Sequence, residues 1–108
     1  IVSKIPEPDR IFTAMIIDLD NTSYEVQKLS IDGLTFLPVQ MGRAQAGIDF
    51  KSIKKISFYL QDDKVLGRIE FDDNFKKEFY LDPQVTFFGQ TKWGKIKLKC
   101  KDIKEIEF

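Results

Sequence analysis

The chain has 108 residues, 43% of them hydrophobic, which suits one folded domain with a modest core. Its 17 basic and 17 acidic residues cancel, so a globally electrostatic task such as coating DNA is not indicated. With no histidine and one cysteine, Cys100, the chain lacks the commonest acid/base catalyst, the Cys/His zinc sites and any internal disulfide. No apolar run approaches the ~20 residues that span a membrane. Residues 1–10, IVSKIPEPDR, hold two prolines in three positions and read as an extended arm or linker. The first residue is Ile1 rather than Met, which suggests a start inside a longer gene product, after a cleaved signal or a trimmed domain.

From Ile11 onward the pattern is that of strands. IFTAMIIDL is apolar on both faces through Ile17 and predicts a buried strand. Asn21-Thr22 suits a turn. SYEVQKLSI alternates, but its parity slips between Val26 and Leu29, which predicts a bulge. Asp32-Gly33 is a turn signal, LTFLPVQM a strand bent or placed at an edge by Pro38, and Gly42 and Gly47 are expected to bracket another turn. Lys51–Lys55 reads as a tight turn feeding ISFYL. The strands VLGRIEF, KKEFYL, QVTFFG and KIKLKC follow, with acidic turns at Asp62-Asp63 and Asp72-Asp73, and DIKEIEF closes the chain. Those acidic pairs lack the dense oxygen-rich loop of a calcium site and read as hairpin turns.

AMIIDLDNT, residues 14–22, resembles the first motif of haloacid-dehalogenase-type phosphatases, an apolar run followed by DxDx[TV]. The resemblance implies Asp18 as nucleophile, Asp20 as general acid/base and a magnesium ion between them and a later acidic pair such as Asp62-Asp63. Thr91 and a lysine would hold the phosphoryl oxygens. That family resembles a parallel sheet flanked by helices, and this chain has almost no helical periodicity. The stretch is therefore read as a strand end, with Asp18 and Asp20 facing solvent.

Two segments match at an offset of 50 residues, IDFKSIKKISF at 48–58 and LKCKDIKEIEF at 98–108. Apolar positions match further back, Leu37 with Phe87, Ile31 with Leu81, Leu29 with Phe79 and Leu19 with Ile69, which suggests an internal duplication. GKIKLKCKDIKEIEF is similar to the closing strands of SH3-like or Sm-like small barrels of bacterial envelope and secreted proteins. Such barrels bind peptides, RNA, glycans or nothing known, so the resemblance implies a fold and no function.

The expected fold is all-β: an arm at 1–10, then two related halves, about 11–60 and 61–108. They form tandem small barrels or one pseudo-symmetric sandwich or barrel. The expected core is Leu19, Leu29, Ile31, Leu37, Ile48, Ile53, Ile56 and Phe58 with their counterparts fifty residues on.

KWGKIKLKCK places Lys95, Lys97, Lys99 and Lys101 on one face of a strand, with Ile96, Leu98 and Cys100 on the other and Lys92 and Trp93 just before. Such a face can bind an anionic polymer by charge and stacking. The competing reading, which the zero net charge favours, is a solvated strand. Its lysines would pair with Glu70, Asp72 and Asp73 or protect a sheet edge. Trp93 either caps the barrel end, the expected placement, or stands exposed as a platform for a sugar or a partner. Cys100 points to the core as a small hydrophobe.

The sequence reading is thus a non-enzymatic interaction or scaffold module without cofactor, from a bacterial and extracytoplasmic protein. Its partner is another protein or a domain of the same longer chain. The alternative is an anionic-polymer binder through Lys92, Trp93, Lys95, Lys97 and Lys99; the third reading is the Asp18 phosphatase.

Overall fold

The computed structural model describes residues 4–108. Among these residues there are ten strands and two single turns of 3-10 helix. The strands are β1 (Ala14–Asp18), β2 (Ser23–Ser30), β3 (Phe36–Met41), β4 (Ala44–Asp49), β5 (Ile53–Gln61), β6 (Lys64–Phe71), β7 (Lys76–Leu81), β8 (Thr86–Thr91), β9 (Gly94–Lys99) and β10 (Ile103–Glu107). The 3-10 turns, Phe50–Ser52 and Cys100–Asp102, lead into β5 and β10. The tight turn predicted over Lys51–Lys55 is shorter and earlier: the 3-10 turn covers Lys51 and Ser52, while Ile53–Lys55 already belong to β5. The part of the predicted arm at residues 1–3 lies outside the described residues.

All ten strands join one antiparallel sheet in the order β4-β3-β7-β6-β5-β10-β1-β2-β8-β9. Laid flat, ten strands at the usual spacing would be roughly 43 Å wide. The longest extent is 37 Å, so the sheet curls into a half-barrel. Phe58 on β5 and Phe87 on β8 lie four places apart in the sheet, yet their ring centroids are 6.2 Å apart across the interior. The two halves do not close separately as tandem barrels. The β3–β4 hairpin pairs with β7, and the β8–β9 hairpin pairs with β2.

Turn chemistry fixes the hairpins. Asp32 and Gly33 both take positive φ, 53° and 84°, between the bridged residues Ile31 and Leu34. That is the backbone a two-residue primed turn requires. Asp62-Asp63 closes β5 onto β6 with Gln61 opposite Lys64. The predicted parity slip in β2 is present. Lys28 takes φ 56°, and the register against β8 shifts between Gln27 and Ser30. The bulge lets both Val26 and Leu29 face the core.

The core contains Leu29, Ile31, Leu37, Ile53, Ile56 and Phe58, with Phe79, Leu81, Phe87, Ile103 and Ile106 fifty residues on. Ile48, Leu98 and Phe108 pack against it from half-buried positions. Leu19 does not join them: it is 54% exposed in the turn after β1. β1 is also not buried on both faces, because Met15 points outward between the buried Ala14 and Ile16. Gly47 is not a turn residue. It lies in β4 opposite Pro38, and the Phe36 ring covers the space its Cβ would need.

The bounds of β3 and β8, of β4 and β9, and of the two 3-10 turns coincide at the 50-residue offset. Earlier in the chain the offset fails. Ile16 is buried while Leu66 is half-buried on the outer face, and Leu19 is exposed while Ile69 is buried.

Cys100 is buried, and its thiol donates to the Asp82 carbonyl at 3.3 Å. Burial, aided by the nearby Asp82 carboxylate, pushes its pKa up to about 12. The thiolate is the reactive form. The folded chain is therefore expected to resist an aromatic disulfide reagent at neutral pH and to react promptly once denatured. Fast labelling of the native protein would contradict this burial.

Candidate functional site

Asp18 ends β1, and its carboxylate organises the chain behind it. Oδ1 accepts from the amides of Asp20 and Thr22, each at 2.9 Å, and Oδ2 accepts from the Tyr24 hydroxyl at 2.8 Å. The carboxylate, half-exposed at the strand end, thus closes the turn and fixes the Tyr24 ring. Asp20 is exposed. The hydrogen bond from Thr22, then that from Tyr24, holds the Asp18 pKa below the usual carboxylate value, against a smaller opposing effect of desolvation. A lowered folded pKa stabilises the fold above the unfolded pKa, and this contribution disappears as pH falls through the folded value. Wild type is expected to lose thermal stability below the carboxylate range more steeply than Asp18→Asn, as read by thermal unfolding across acid pH. Parallel curves would contradict the lock.

The arm carries a second lock. The Arg10 guanidinium donates to both carboxylate oxygens of Asp49, at 2.8 and 3.2 Å, and to the Thr35 hydroxyl at 3.0 Å. The Thr35 hydroxyl donates in turn to Asp9. Thr35 is a buried polar residue, so these bonds satisfy it. Pro6 and Glu7 lie against Gly33. Residues 6–10 are therefore docked on the domain.

The lysines lie on β9, an outer strand of the sheet. Lys95 and Lys97 are exposed, Lys99 donates to the Gln84 side chain at 2.8 Å, and Ile96 and Leu98 turn inward. Lys101 is not part of the stripe, because it falls in the 3-10 turn. The expected partners Glu70, Asp72 and Asp73 belong to β6 and its turn, distant in sheet order, and Glu70 faces Lys54 at 3.9 Å. β9 hydrogen-bonds to β8, whose sequence TFFGQT has no acid. An edge guarded by lysines is what discourages pairing with a second sheet.

Trp93 does not cap the barrel. It stands 87% exposed at the tip of the β8–β9 hairpin, beside Gly94 with φ 129°. The Thr91 hydroxyl fixes the tip, donating to the Gly94 carbonyl at 2.7 Å and accepting from the Trp93 amide at 3.1 Å. The Lys92 ammonium lies over the indole, 5.2 Å from its centroid.

The tip faces an opening in the sheet. β2 and β8 pair at Ser30/Phe88 and Gln27/Gln90, and the ladder then stops. Ser23–Val26 continue along β1, while β8 turns into its hairpin. The seam between them is a cavity of about 350 Å³, lined by Ser23, Tyr24, Glu25 and Gln27 on one wall and by Gln90, Thr91, Lys92 and Trp93 on the other. A second recess, formed by Tyr24 with Lys95–Leu98, adjoins it through the shared Tyr24. The seam offers an aromatic platform, hydroxyls, two amides and one charge of each sign, a set suited to a polar ligand or a peptide segment.

Of the predicted site residues, the structure brings Lys92 and Trp93 to the seam and leaves Lys95, Lys97 and Lys99 along the adjoining edge. Tyr24, Glu25, Gln27 and Gln90 were not singled out in the sequence. Their one signal is alternation, which places Glu25 and Gln27 on the outward face of β2.

A family model with the description "Uncharacterised protein" matches residues 8–108. No curated protein and no solved structure matches the chain.

Proposed function

We propose that this chain, which belongs to the family described as "Uncharacterised protein", is a non-enzymatic interaction module that takes its partner at the β2/β8 seam. The observation that carries the reading is Trp93. A large apolar ring held in water by a fixed hairpin tip, above an open polar cavity, contributes nothing to the core. It is the kind of residue that dominates binding when a partner covers it. The partner is a protein or another domain of the same longer chain. The bacterial, extracytoplasmic setting rests on the likeness of GKIKLKCKDIKEIEF to small envelope barrels. We further propose that the two halves descend from one unit of about fifty residues, a reading supported by the coincident bounds of β3 and β8, of β4 and β9, and of the two 3-10 turns.

The second reading, an anionic-polymer binder using Lys92, Trp93, Lys95, Lys97 and Lys99, draws support from the gathering of these lysines along the outer strand β9 and its hairpin tip beside the exposed Trp93. Salt separates the two. The chain, its Trp93→Ala variant and a Lys95/Lys97/Lys99→Glu variant are immobilised and exposed to bacterial extract at low and high salt. The interaction module retains one protein at both salts, loses it in Trp93→Ala and keeps it in the lysine variant. Capture of nucleic acid or anionic polymer, lost in salt and in the lysine variant, supports the second reading against the first.

A further inference from the structure

The sheet has two outer strands of opposite character. β9 carries Lys95, Lys97 and Lys99. β4, Ala44–Asp49, reads AQAGID and has no charge before its last residue. Lysines, prolines and bulges are the usual guards of an exposed edge, and β4 pairs regularly with β3 over six residues without a bulge. Its free side has no strand partner among the described residues. Ala44, Gln45 and Gly47 are exposed.

We propose that β4 pairs antiparallel with β4 of a second copy of this chain about a two-fold axis through Ala46, joining the two sheets edge to edge. The sequence of the edge is self-complementary in that register. Gln45 lies opposite Gly47 of the second copy and Ala44 opposite its Ile48, so the half-buried inner face of Ala46 and Ile48 continues across the axis. Arg43, exposed in the preceding turn, lies opposite Asp49 of the second copy at both ends of the pair; that carboxylate already holds Arg10 of its own chain at 2.8 and 3.2 Å, so the register rests on its apolar face rather than on a free charge pair. Residues 43 and 49 have the same parity, so the two opposite charges fall on one face. The equivalent pairing of β9 would set Lys97 against Lys97 and Lys95 against Lys99, which like-charge repulsion disfavours. A closed isologous pair follows, not a fibre, because the same edge is used by both copies.

Sedimentation of the chain over a wide concentration series tests this. The apparent mass is expected to double from that of one chain at low concentration to that of two at high concentration and to rise no further. Ala46→Lys places like charges on the axis and is expected to hold the protein at one chain throughout. Should that variant unfold, as read by circular dichroism, Ala44→Lys takes its place: the position is exposed in one chain but faces Ile48 of the second copy, so the charge weakens the pair. Lys97→Glu leaves the wild-type series unchanged. One-chain mass for wild type at every concentration overturns the proposal, as does a dimer that survives both β4-edge variants or is lost in Lys97→Glu.

Discussion

Gly89→Ala is expected to destabilise the protein by about 2–3 kcal/mol, the upper part of the range for overpacking a filled core. For a domain of this size that lowers the melting temperature by roughly 10 °C. Gly89 is buried in β8, next to the β2 bulge. A Cβ there would run into the Val26 side chain and come within 3.2 Å of the Gln27 carbonyl, which is backbone and pinned by the bulge. Position 89 carries no side chain because Val26 fills the space. Fifty residues earlier, in β3, Val39 fills its own buried position. Val26→Ala in the Gly89→Ala background should therefore recover part of the loss, since the second change removes the methyls the first one meets. Thermal unfolding of the two single variants and the double variant reads the coupling. Additive losses would show that Val26 and Gly89 do not share one space.

Trp93→Ala is expected to weaken partner binding about 30-fold, the equivalent of the ~2 kcal/mol that marks a binding hot spot. The same change should leave stability within about 0.5 kcal/mol of wild type, as for a surface residue outside the core. The combination identifies a binding residue, because a structural role would move both readings. Equilibrium binding of the captured partner to wild type and variant, beside denaturant unfolding of each, provides the comparison.

The strands were legible because they alternate. Leu29 and Ile31 are buried as their spacing predicts, and the bulge at Lys28 was visible as two apolar residues out of phase. Ile53 with Ile56, and Ile103 with Ile106, stand three apart, and both members of each pair are buried because the register shifts between Ile53 and Lys55 and again at Ile103. Asp32-Gly33 and Asp62-Asp63 announced their turns by chemistry alone. Leu19 was misplaced because the 50-residue match was carried back past the bulge, where parity no longer holds. The crossing of the hairpins between halves was not legible. Whether β3 lies beside β2 or β7 depends on contacts distant in sequence, which no local pattern records. For the same reason the seam was hidden. Glu25 and Gln27 look like ordinary outward residues of one strand and Gln90 like the end of another, and the meeting of those strands makes the site. Trp93 was noticed, but its placement turned on the hairpin tip. The hydrogen bonds of Thr91 hold that tip in solvent instead of folding it over the barrel end.

The most direct test of the seam is the nuclear magnetic resonance spectrum of the nitrogen-labelled chain with and without the unlabelled partner retained at high salt. The single tryptophan gives one indole signal to follow. The seam account predicts that this signal moves or broadens, together with the side-chain amides of Gln27 and Gln90 and the backbone amides from Thr91 to Gly94. An unchanged indole signal, with the perturbed residues gathered on another face, would contradict it.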